Sequence, residues 1–144
     1  MIISTRGRYA LRVMIDLAEH SDGNYIPMKD VAERQNISLK YLEKILPPLS
    51  KSNYIVGVHG KGGGYRLTKK PSEYTAFDIL NVTEGSLCPV SCIDCGKDAC
   101  PRIDGCRTYP MWQKLNDIVS DYLKSVTIED LMSGKSTETP IKED

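Results

Sequence analysis

Two short helical segments separated by a tight connection restrict the fold of this chain more than any other feature. The first is predicted over residues 28–35, with Pro27 at or near its first position, where a missing backbone N–H does no harm. Asn36 and Ile37 leave room only for a turn, and Ser38 is suited to cap the next helix. The apolar face of that helix comprises Leu39, Leu42, Ile45 and Leu46. Two short helices joined this closely are typical of a helix-turn-helix.

The segments on either side extend this unit. Upstream, apolar residues at helical spacing predict a helix over residues 8–19, with Ser4 or Thr5 as its cap. Downstream, Pro47 and Pro48 are expected to kink or end the third helix, because each proline lacks a backbone donor.

A glycine-tipped hairpin follows these helices. Residues 54–58 are rich in strand-forming side chains, residues 60–64 are mostly glycine, and residues 65–67 predict the returning strand. A helix over residues 75–83, capped by Thr75, completes the pattern. The predicted fold class is therefore mainly α with a small β component (α+β), in the form of a winged helix-turn-helix.

A long apolar stripe lies in the second half of the chain. Apolar residues at spacings of three and four, from Met111 to Val126, predict a long C-terminal helix. This stripe is too extensive for a lone helix in water, so we expect it to pair with a second copy of the chain. The alternative is that the helix packs on its own domain. The residues predicted to form the dimer contact are Trp112, Leu115, Ile118, Val119 and Tyr122.

Charge is distributed unevenly, although the net charge of the chain is zero. Residues 1–70 carry 12 Lys or Arg against 6 Asp or Glu, a net charge of +6. Residues 71–144 carry 7 against 13, a net charge of −6. A basic helix-turn-helix half fits a polyanion-binding surface, so we expect double-stranded promoter DNA as a partner.

The predicted DNA contacts lie on three segments. The start of the third helix is expected to enter the major groove, where Glu43 can accept a hydrogen bond from a cytosine amino group. The glycine turn is expected to bring the wing to the minor groove, and the first helix is expected to contact phosphates. The alternatives are a merely solvated helix face and, for the glycines, a nucleotide phosphate cradle, although no Gly-Lys-Ser/Thr motif follows them. The predicted contacts are Arg6, Arg8, Tyr9, Ser38, Lys40, Tyr41, Glu43, Lys44, His59, Lys61 and Arg66.

All five cysteines lie between residues 88 and 106. Thiols this close together indicate metal binding or redox chemistry before structural disulfides. The candidates are an iron–sulfur cluster, a tetrahedral zinc site and a metal-free thiol switch. Cys88 is expected to lie outside the site. The predicted ligands are Cys92, Cys95, Cys100 and Cys106.

We divide the chain into four parts on this basis. Residues 1–84 are predicted to form the winged helix-turn-helix DNA-binding domain, and residues 85–110 form a cysteine-rich sensor loop, called the cysteine segment below. Residues 111–132 supply the dimerisation helix and a short last helix capped by Thr127, and residues 133–144 are a flexible tail.

Several classes of protein do not fit the sequence. No run of about 18 apolar residues predicts a membrane span, and no signal peptide is evident, so we expect a cytoplasmic protein. The two histidines, His20 and His59, are far in sequence from the cysteines. No Ser-His-Asp or Cys-His arrangement is evident, so the chain is not expected to be an enzyme.

Several motifs in unbroken order resemble those of the Rrf2 family of bacterial regulators. They are STRGRYA at residues 4–10, ISLKYLE at 37–43, GKGGGY at 60–65, the Trp112 helix after a cysteine loop, and TIEDL at 127–131. The resemblance covers about residues 1–132 and implies a homodimeric winged-helix regulator of palindromic promoters. It also implies that Ser38, Lys40, Tyr41 and Glu43 occupy DNA-reading positions. Arg8 and the wing are implied to contact the DNA backbone and the minor groove.

Members of this family differ in how they use cysteines. IscR-type members carry an iron–sulfur cluster and control cluster assembly, and NsrR-type members sense nitric oxide through theirs. CymR-type members lack the cysteines and act on cysteine metabolism with a partner enzyme. The resemblance therefore implies operator binding that is modulated by a [2Fe-2S] or [4Fe-4S] cluster or by thiol redox state. The alternatives are a metal-free CymR-like regulator acting with a partner enzyme, and a zinc-stabilised regulator.

The cysteine spacing matches the family only in part. Cluster-binding members commonly have five residues between neighbouring ligands, as between Cys100 and Cys106. Four residues separate Cys95 from Cys100, and seven separate Cys92 from Cys100. IscR-type members have a histidine three residues after the last cysteine, where this chain has Tyr109. Using both Cys92 and Cys95 would give an all-thiolate site.

Overall fold

The first three helices form the helix-turn-helix that the sequence predicts. In the computed structural model, which describes residues 3–94 and 100–134, α1 spans Thr5–Glu19, α2 spans Met28–Gln35 and α3 spans Leu39–Lys51. The Oγ of Ser4 accepts a hydrogen bond from the Gly7 amide at 3.2 Å and so caps α1. The Oγ of Ser38 caps α3 in the same way by accepting from the Tyr41 amide at 3.1 Å. Both caps agree with the predictions.

Of the two outcomes predicted for the prolines, a kink or an end of α3, the structure excludes an end. The helix continues through Pro47 and Pro48 to Lys51. Each proline removes one helical hydrogen bond and its ring crowds the carbonyl four residues earlier, here the carbonyls of the exposed residues Glu43 and Lys44. On the opposite face, buried apolar side chains hold the helix against the core on both sides of the prolines. These are Leu42, Ile45, Leu46 and Leu49.

The wing is a two-stranded antiparallel sheet of β1 (Ile55–Val58) and β2 (Gly64–Leu67). Tyr65 also pairs with Ile26, since each residue donates its amide to the other's carbonyl, at 2.8 and 2.9 Å. Gly64 has a φ of +152°, and a Cβ there would lie 2.1 Å from the Ile26 carbonyl oxygen. Only glycine therefore allows the hairpin to dock on the segment before α2.

Two short helices from distant parts of the chain close the core together. α4 spans Ala76–Glu84 and α7 spans Ile128–Ser133, and each begins with a capping box. Their starts are joined by backbone hydrogen bonds from Ala76 to the Val126 carbonyl (2.7 Å) and from Ile128 to the Tyr74 carbonyl (3.0 Å). Ile128 is completely buried in the same core as α1 and α3.

The hydrophobic core lies between α1, α3, α4 and α7. Its centre includes Val13 and Met14 of α1, Ile45 of α3 and Ile79 of α4, all fully buried. Tyr74, also fully buried, accepts hydrogen bonds from the amides of residues 68 and 69 and donates to the carbonyl of residue 54. This tyrosine therefore connects the core to the base of the wing.

Three further elements belong to the cysteine segment and the long helix. α5 is a single turn at Ser91–Asp94, a short 3₁₀ turn occupies Ile103–Gly105, and α6 spans Tyr109–Ser125, packed against α4 and α5. In the two described stretches, no helix is long and apolar enough to cross a membrane. The predicted tail at residues 133–144 lies almost wholly outside the described residues.

Candidate functional site

The exposed surface of α3 carries the side chains that were predicted to read DNA. Lys40, Glu43 and Lys44 are exposed, whereas Tyr41 is half-buried. The Ser38 hydroxyl caps the helix and is exposed. A helix N-terminus with its cap satisfied and with cations and a carboxylate in its first two turns can bond both base edges and phosphates.

Tyr41 contacts side chains of α1. Its ring packs edge-to-face on Tyr9 of α1, with centroids 5.4 Å apart. The guanidinium of Arg12 lies over the Tyr9 ring, 5.0 Å from its centroid, and donates to both the side chain and the carbonyl of Gln35. Arg12 was not among the predicted site residues. The i, i+4 relation to Arg8 on an exposed helix face is a signal that could have identified it.

An ion pair with a buried carboxylate joins α1 to α2. The side chain of Asp16 is 1% exposed and accepts from Arg34 at 2.8 and 3.0 Å and from Gln35 at 2.9 Å. Burial alone would raise the pKa of Asp16, but the hydrogen bonds from Arg34 and Gln35 and the charge of Arg34 lower it overall. Asp16 is therefore held as a carboxylate, and it fixes the last turn of α2 to α1.

The first turn of α1 carries the predicted phosphate contacts. Arg6 and Arg8 are both exposed, and Arg8 donates to the Thr5 hydroxyl at 3.0 Å. Immediately before them, Ser4 donates from its amide and its hydroxyl to Glu84, at 3.0 and 2.6 Å. This contact joins the start of α1 to the end of α4.

The wing residues fall into two groups. His59 and Lys61 are exposed in the glycine turn between β1 and β2. Arg66 instead donates to the Gly23 carbonyl at 3.1 Å and lies 4.6 Å from the centroid of the Tyr25 ring. The structure therefore places Arg66 against the loop that joins α1 to α2.

The described thiols in the cysteine segment are all free and half-buried. They are Cys88, Cys92, Cys100 and Cys106. Hydrogen bonds from Thr108, first from its side chain and then from its backbone, lower the pKa of the Cys106 thiol. Among residues 3–94 and 100–134, no three His, Cys, Asp or Glu side chains are grouped to hold a metal ion. Cys95, a predicted ligand, lies outside the described residues.

The long helix α6 exposes an apolar stripe. Met111, Leu115, Ile118 and Tyr122 are 53%, 37%, 55% and 44% exposed. Trp112 and Val119, which were also predicted to form the dimer contact, are half-buried. The stripe repeats at intervals of four, three and four residues, which is the spacing of a helix seam.

Comparisons with known proteins agree on one family. Residues 3–134 match the sequence model of the Rrf2 family, iron-dependent transcriptional regulators. The HTH-type transcriptional regulator IscR of Pectobacterium atrosepticum is 35% identical over 135 residues, which are 94% of this chain and 81% of that protein.

Two solved structures have the same fold. CymR (YrzC), the global cysteine regulator of B. subtilis, superposes with a TM-score of 0.75 at 35% identity, covering 93% of this chain and 98% of that one. T. potens IscR superposes with a TM-score of 0.72 at 30% identity, covering 93% and 88%.

Proposed function

The chain belongs to the Rrf2 family of transcriptional regulators, and we propose that it is a homodimer that binds promoter DNA under the control of its cysteine segment. It is a regulator and not an enzyme. The observation that carries the proposal is the capped start of α3, which presents Lys40, Glu43 and Lys44 to solvent on a helix-turn-helix in the basic half of the chain.

We assign three kinds of DNA contact. Lys40 and Glu43 contact base edges in the major groove, because they extend from the first two turns of α3. Arg6 and Arg8 contact phosphates, which set the position of the protein without reading sequence. His59 and Lys61 in the wing add cationic or donor groups at a glycine turn that can approach the minor groove closely.

Selection from a pool of random duplexes, followed by affinity measurements over a range of salt concentrations, tests this assignment. Lys40→Ala and Glu43→Ala should each weaken binding to the selected duplex by about 1–3 kcal/mol and relax its base preference. Arg8→Ala should weaken binding to every duplex about equally and reduce the salt slope by about 0.9 for each phosphate that is no longer neutralised. The matched control is Lys114→Ala, which removes an exposed cation on α6. Equal affinity for selected and random duplexes would refute sequence-specific binding.

The apolar stripe of α6 supports dimerisation with a second copy of the chain. Its four members carry no charge and follow a heptad-like spacing, which suits self-association of two helices. α6 also packs on α4 and α5 of its own chain. Trp112 and Val119, two of the predicted dimer residues, are half-buried and do not belong to the exposed stripe.

Sedimentation velocity over a range of protein concentrations tests the dimer. Ile118→Glu places a charge in the centre of the stripe and should convert the dimer to a monomer, because burying an unpaired carboxylate is strongly unfavourable. Gln113→Glu adds the same charge at an exposed position outside the stripe and should leave the dimer intact. A wild-type monomer at micromolar concentration, or an unaltered Ile118→Glu dimer, would contradict the proposal.

An iron–sulfur cluster is the proposed sensor group. The chemistry of the donors fits, because cysteine thiolates are the usual ligands of such clusters and the described thiols are unpaired and half-buried. Cys92, Cys95, Cys100 and Cys106 would hold the cluster, which would supply a redox-sensitive and destructible link within the cysteine segment. IscR-named relatives at 35% identity support this choice.

A metal-free thiol switch is the second candidate. The lowered pKa of Cys106 favours it, since a larger thiolate fraction makes that sulfur more reactive towards oxidants. A CymR-like regulator that acts with a partner enzyme, and a zinc-stabilised regulator, are the remaining alternatives. The similarity to B. subtilis CymR supports the first of these.

Anaerobic purification with iron, sulfide and zinc assays on the same sample separates these candidates. A cluster predicts brown protein with matching iron and sulfide, lost in Cys100→Ser and Cys106→Ser but retained in the control Cys88→Ser. Zinc without sulfide indicates a structural metal site. Colourless, metal-free protein after anaerobic reconstitution would refute the cluster and leave the thiol switch or the CymR-like mode.

A further inference from the structure

We infer that Glu84 is a positioning residue for DNA binding. It holds the first turn of α1, and with it Arg6 and Arg8, in place for phosphate contact. Because Glu84 is the last residue of α4, it also ties this turn to the point where the cysteine segment begins. The inference rests on the proposed function, which assigns Arg6 and Arg8 to phosphates.

The contact is a pair of hydrogen bonds between residues 80 positions apart in sequence. One carboxylate oxygen of Glu84 accepts from the Ser4 amide at 3.0 Å and from the Ser4 hydroxyl at 2.6 Å. The same hydroxyl oxygen accepts from the Gly7 amide at 3.2 Å. The cap of α1 is therefore itself held in place by Glu84, and charge-assisted bonds of this length are the stronger kind.

The Glu84 carboxylate occupies the space beside Gly7 where a side chain would otherwise lie. A Cβ added at residue 7 would lie 2.2 Å from the same Glu84 oxygen and 3.1 Å from Cδ2 of Leu80. Gly7 lies inside α1 with an ordinary helical backbone, where glycine is normally unfavourable. A side chain at this position would therefore force the Glu84 carboxylate to move from the place where it accepts the two hydrogen bonds from Ser4.

Glu84 is poorly placed on its own helix. A carboxylate in the last turn of α4 faces the negative end of that helix dipole, which is unfavourable. At the start of α1 it meets the positive end of another helix dipole and two N–H or O–H donors. The electrostatics therefore favour Glu84 as a ligand of the α1 N-terminus and not as a stabiliser of α4.

The position of Glu84 links two functional regions. Arg6 and Arg8 lie within the first turn of α1, two and four residues after Ser4. On the other side, Gly85 turns the chain out of α4 with a φ of +79°, Leu87 is buried, and Cys88 follows. A displacement at the start of the cysteine segment would therefore reach the phosphate-binding turn through one side chain.

The salt dependence of DNA affinity tests this role, because the slope reports the number of neutralised phosphates and is insensitive to a simple decrease in folded protein. The probe is the duplex selected for the wild-type protein. Glu84→Ala removes the carboxylate, and Gly7→Ala keeps it but displaces it. Glu84→Gln retains an oxygen that can accept both hydrogen bonds. Glu19→Ala, at the exposed far end of α1, is the control for the removal of one negative charge.

We expect Glu84→Ala and Gly7→Ala to make the log–log salt slope shallower by about 1–2, corresponding to one or two fewer neutralised phosphates per dimer. Arg8→Ala should do the same, and Glu84→Gln and Glu19→Ala should keep the wild-type slope. A wild-type slope, or tighter binding, in both Glu84→Ala and Gly7→Ala would overturn the inference while leaving the proposed function intact. A wild-type protein without specific, salt-dependent binding would refute the proposed function itself.

Discussion

Replacing Asp16 by asparagine should destabilise the protein more than almost any other single polar substitution. The carboxylate is 1% exposed and receives two hydrogen bonds from Arg34 and one from Gln35. Breaking a buried ion pair costs about 3–5 kcal/mol. Here Arg34 is one-third exposed and can be partly rehydrated, and asparagine still offers one acceptor oxygen, so we expect about 2–3 kcal/mol. In a chain of this length that corresponds to a fall in Tm of roughly 5–10 °C.

The effect should depend on pH with a definite sign. The folded-state pKa of Asp16 is lowered, so the stabilisation is fully present above the unfolded pKa of about 3.9 and is lost as the pH falls through the folded-state value. The gap in unfolding free energy between wild type and Asp16→Asn should therefore be constant from pH 7 to pH 5 and should shrink below about pH 4.

Urea unfolding at fixed protein concentration and several pH values measures this gap. The control is Glu19→Gln, one turn away on the same helix, which changes an exposed carboxylate and should shift stability by less than about 0.5 kcal/mol. A gap below about 1 kcal/mol at pH 7, or one that persists undiminished at pH 3, would refute the account of Asp16 as a buried, paired carboxylate.

Three further substitutions should have measurable effects. Tyr74→Phe should lower the unfolding free energy by about 1–2 kcal/mol in urea melts, because it removes the acceptor of the Lys69 amide and leaves the Thr68 amide and the Tyr54 carbonyl with only their longer bond to each other, at 3.4 Å. A cost under about 0.5 kcal/mol would contradict this. Gly64→Ala should cost about 2–4 kcal/mol, because its Cβ collides with the Ile26 carbonyl; unchanged stability would show that the wing can shift. Thr108→Val should slow alkylation of Cys106, followed by mass spectrometry at pH 7, because the pKa of that thiol rises; an unchanged rate would exclude the hydrogen bond as the cause.

The sequence predicts the elements of the DNA-binding half well, because their signals are local. Ser4, Ser38 and Thr75 each cap a helix where predicted, and each does so through a hydrogen bond within three residues. The glycine turn predicted the hairpin for the same reason. Cap and turn chemistry depends on neighbouring residues only, so it can be read without knowing the tertiary structure.

The errors and omissions concern tertiary contacts. The sequence left open whether the prolines of α3 kink or end the helix, and the helix does not end there because buried leucines on both sides hold it on the core. The pairing of Asp16 with Arg34 and Gln35 carried no local signal in sequence, since these partners lie 18 and 19 residues away. The contact between Ser4 and Glu84 spans 80 positions. A single sequence does not contain the pairings that such contacts require.

The same distinction between local signals and tertiary contacts applies to the candidate site. The exposed positions of α3 follow from helical periodicity, and the structure exposes Lys40, Glu43 and Lys44 as expected. Arg66 was assigned to the wing surface from its place in the strand, but its contacts with Gly23 and Tyr25 depend on the docking of a loop. The choice of metal ligands remains a prediction, because Cys95 lies outside the described residues.

The complete burial of Ile128 limits how far the protein can fold during its synthesis on the ribosome. The hydrophobic core cannot be completed until this residue has been made, because Ile128 is fully buried in it. At 5–20 residues per second, the interval between synthesis of Glu84 and of Ile128 is roughly 2–9 s. During that time the hydrophobic core of the nascent helix-turn-helix domain is incomplete. The cysteines are therefore synthesised before the domain can finish folding.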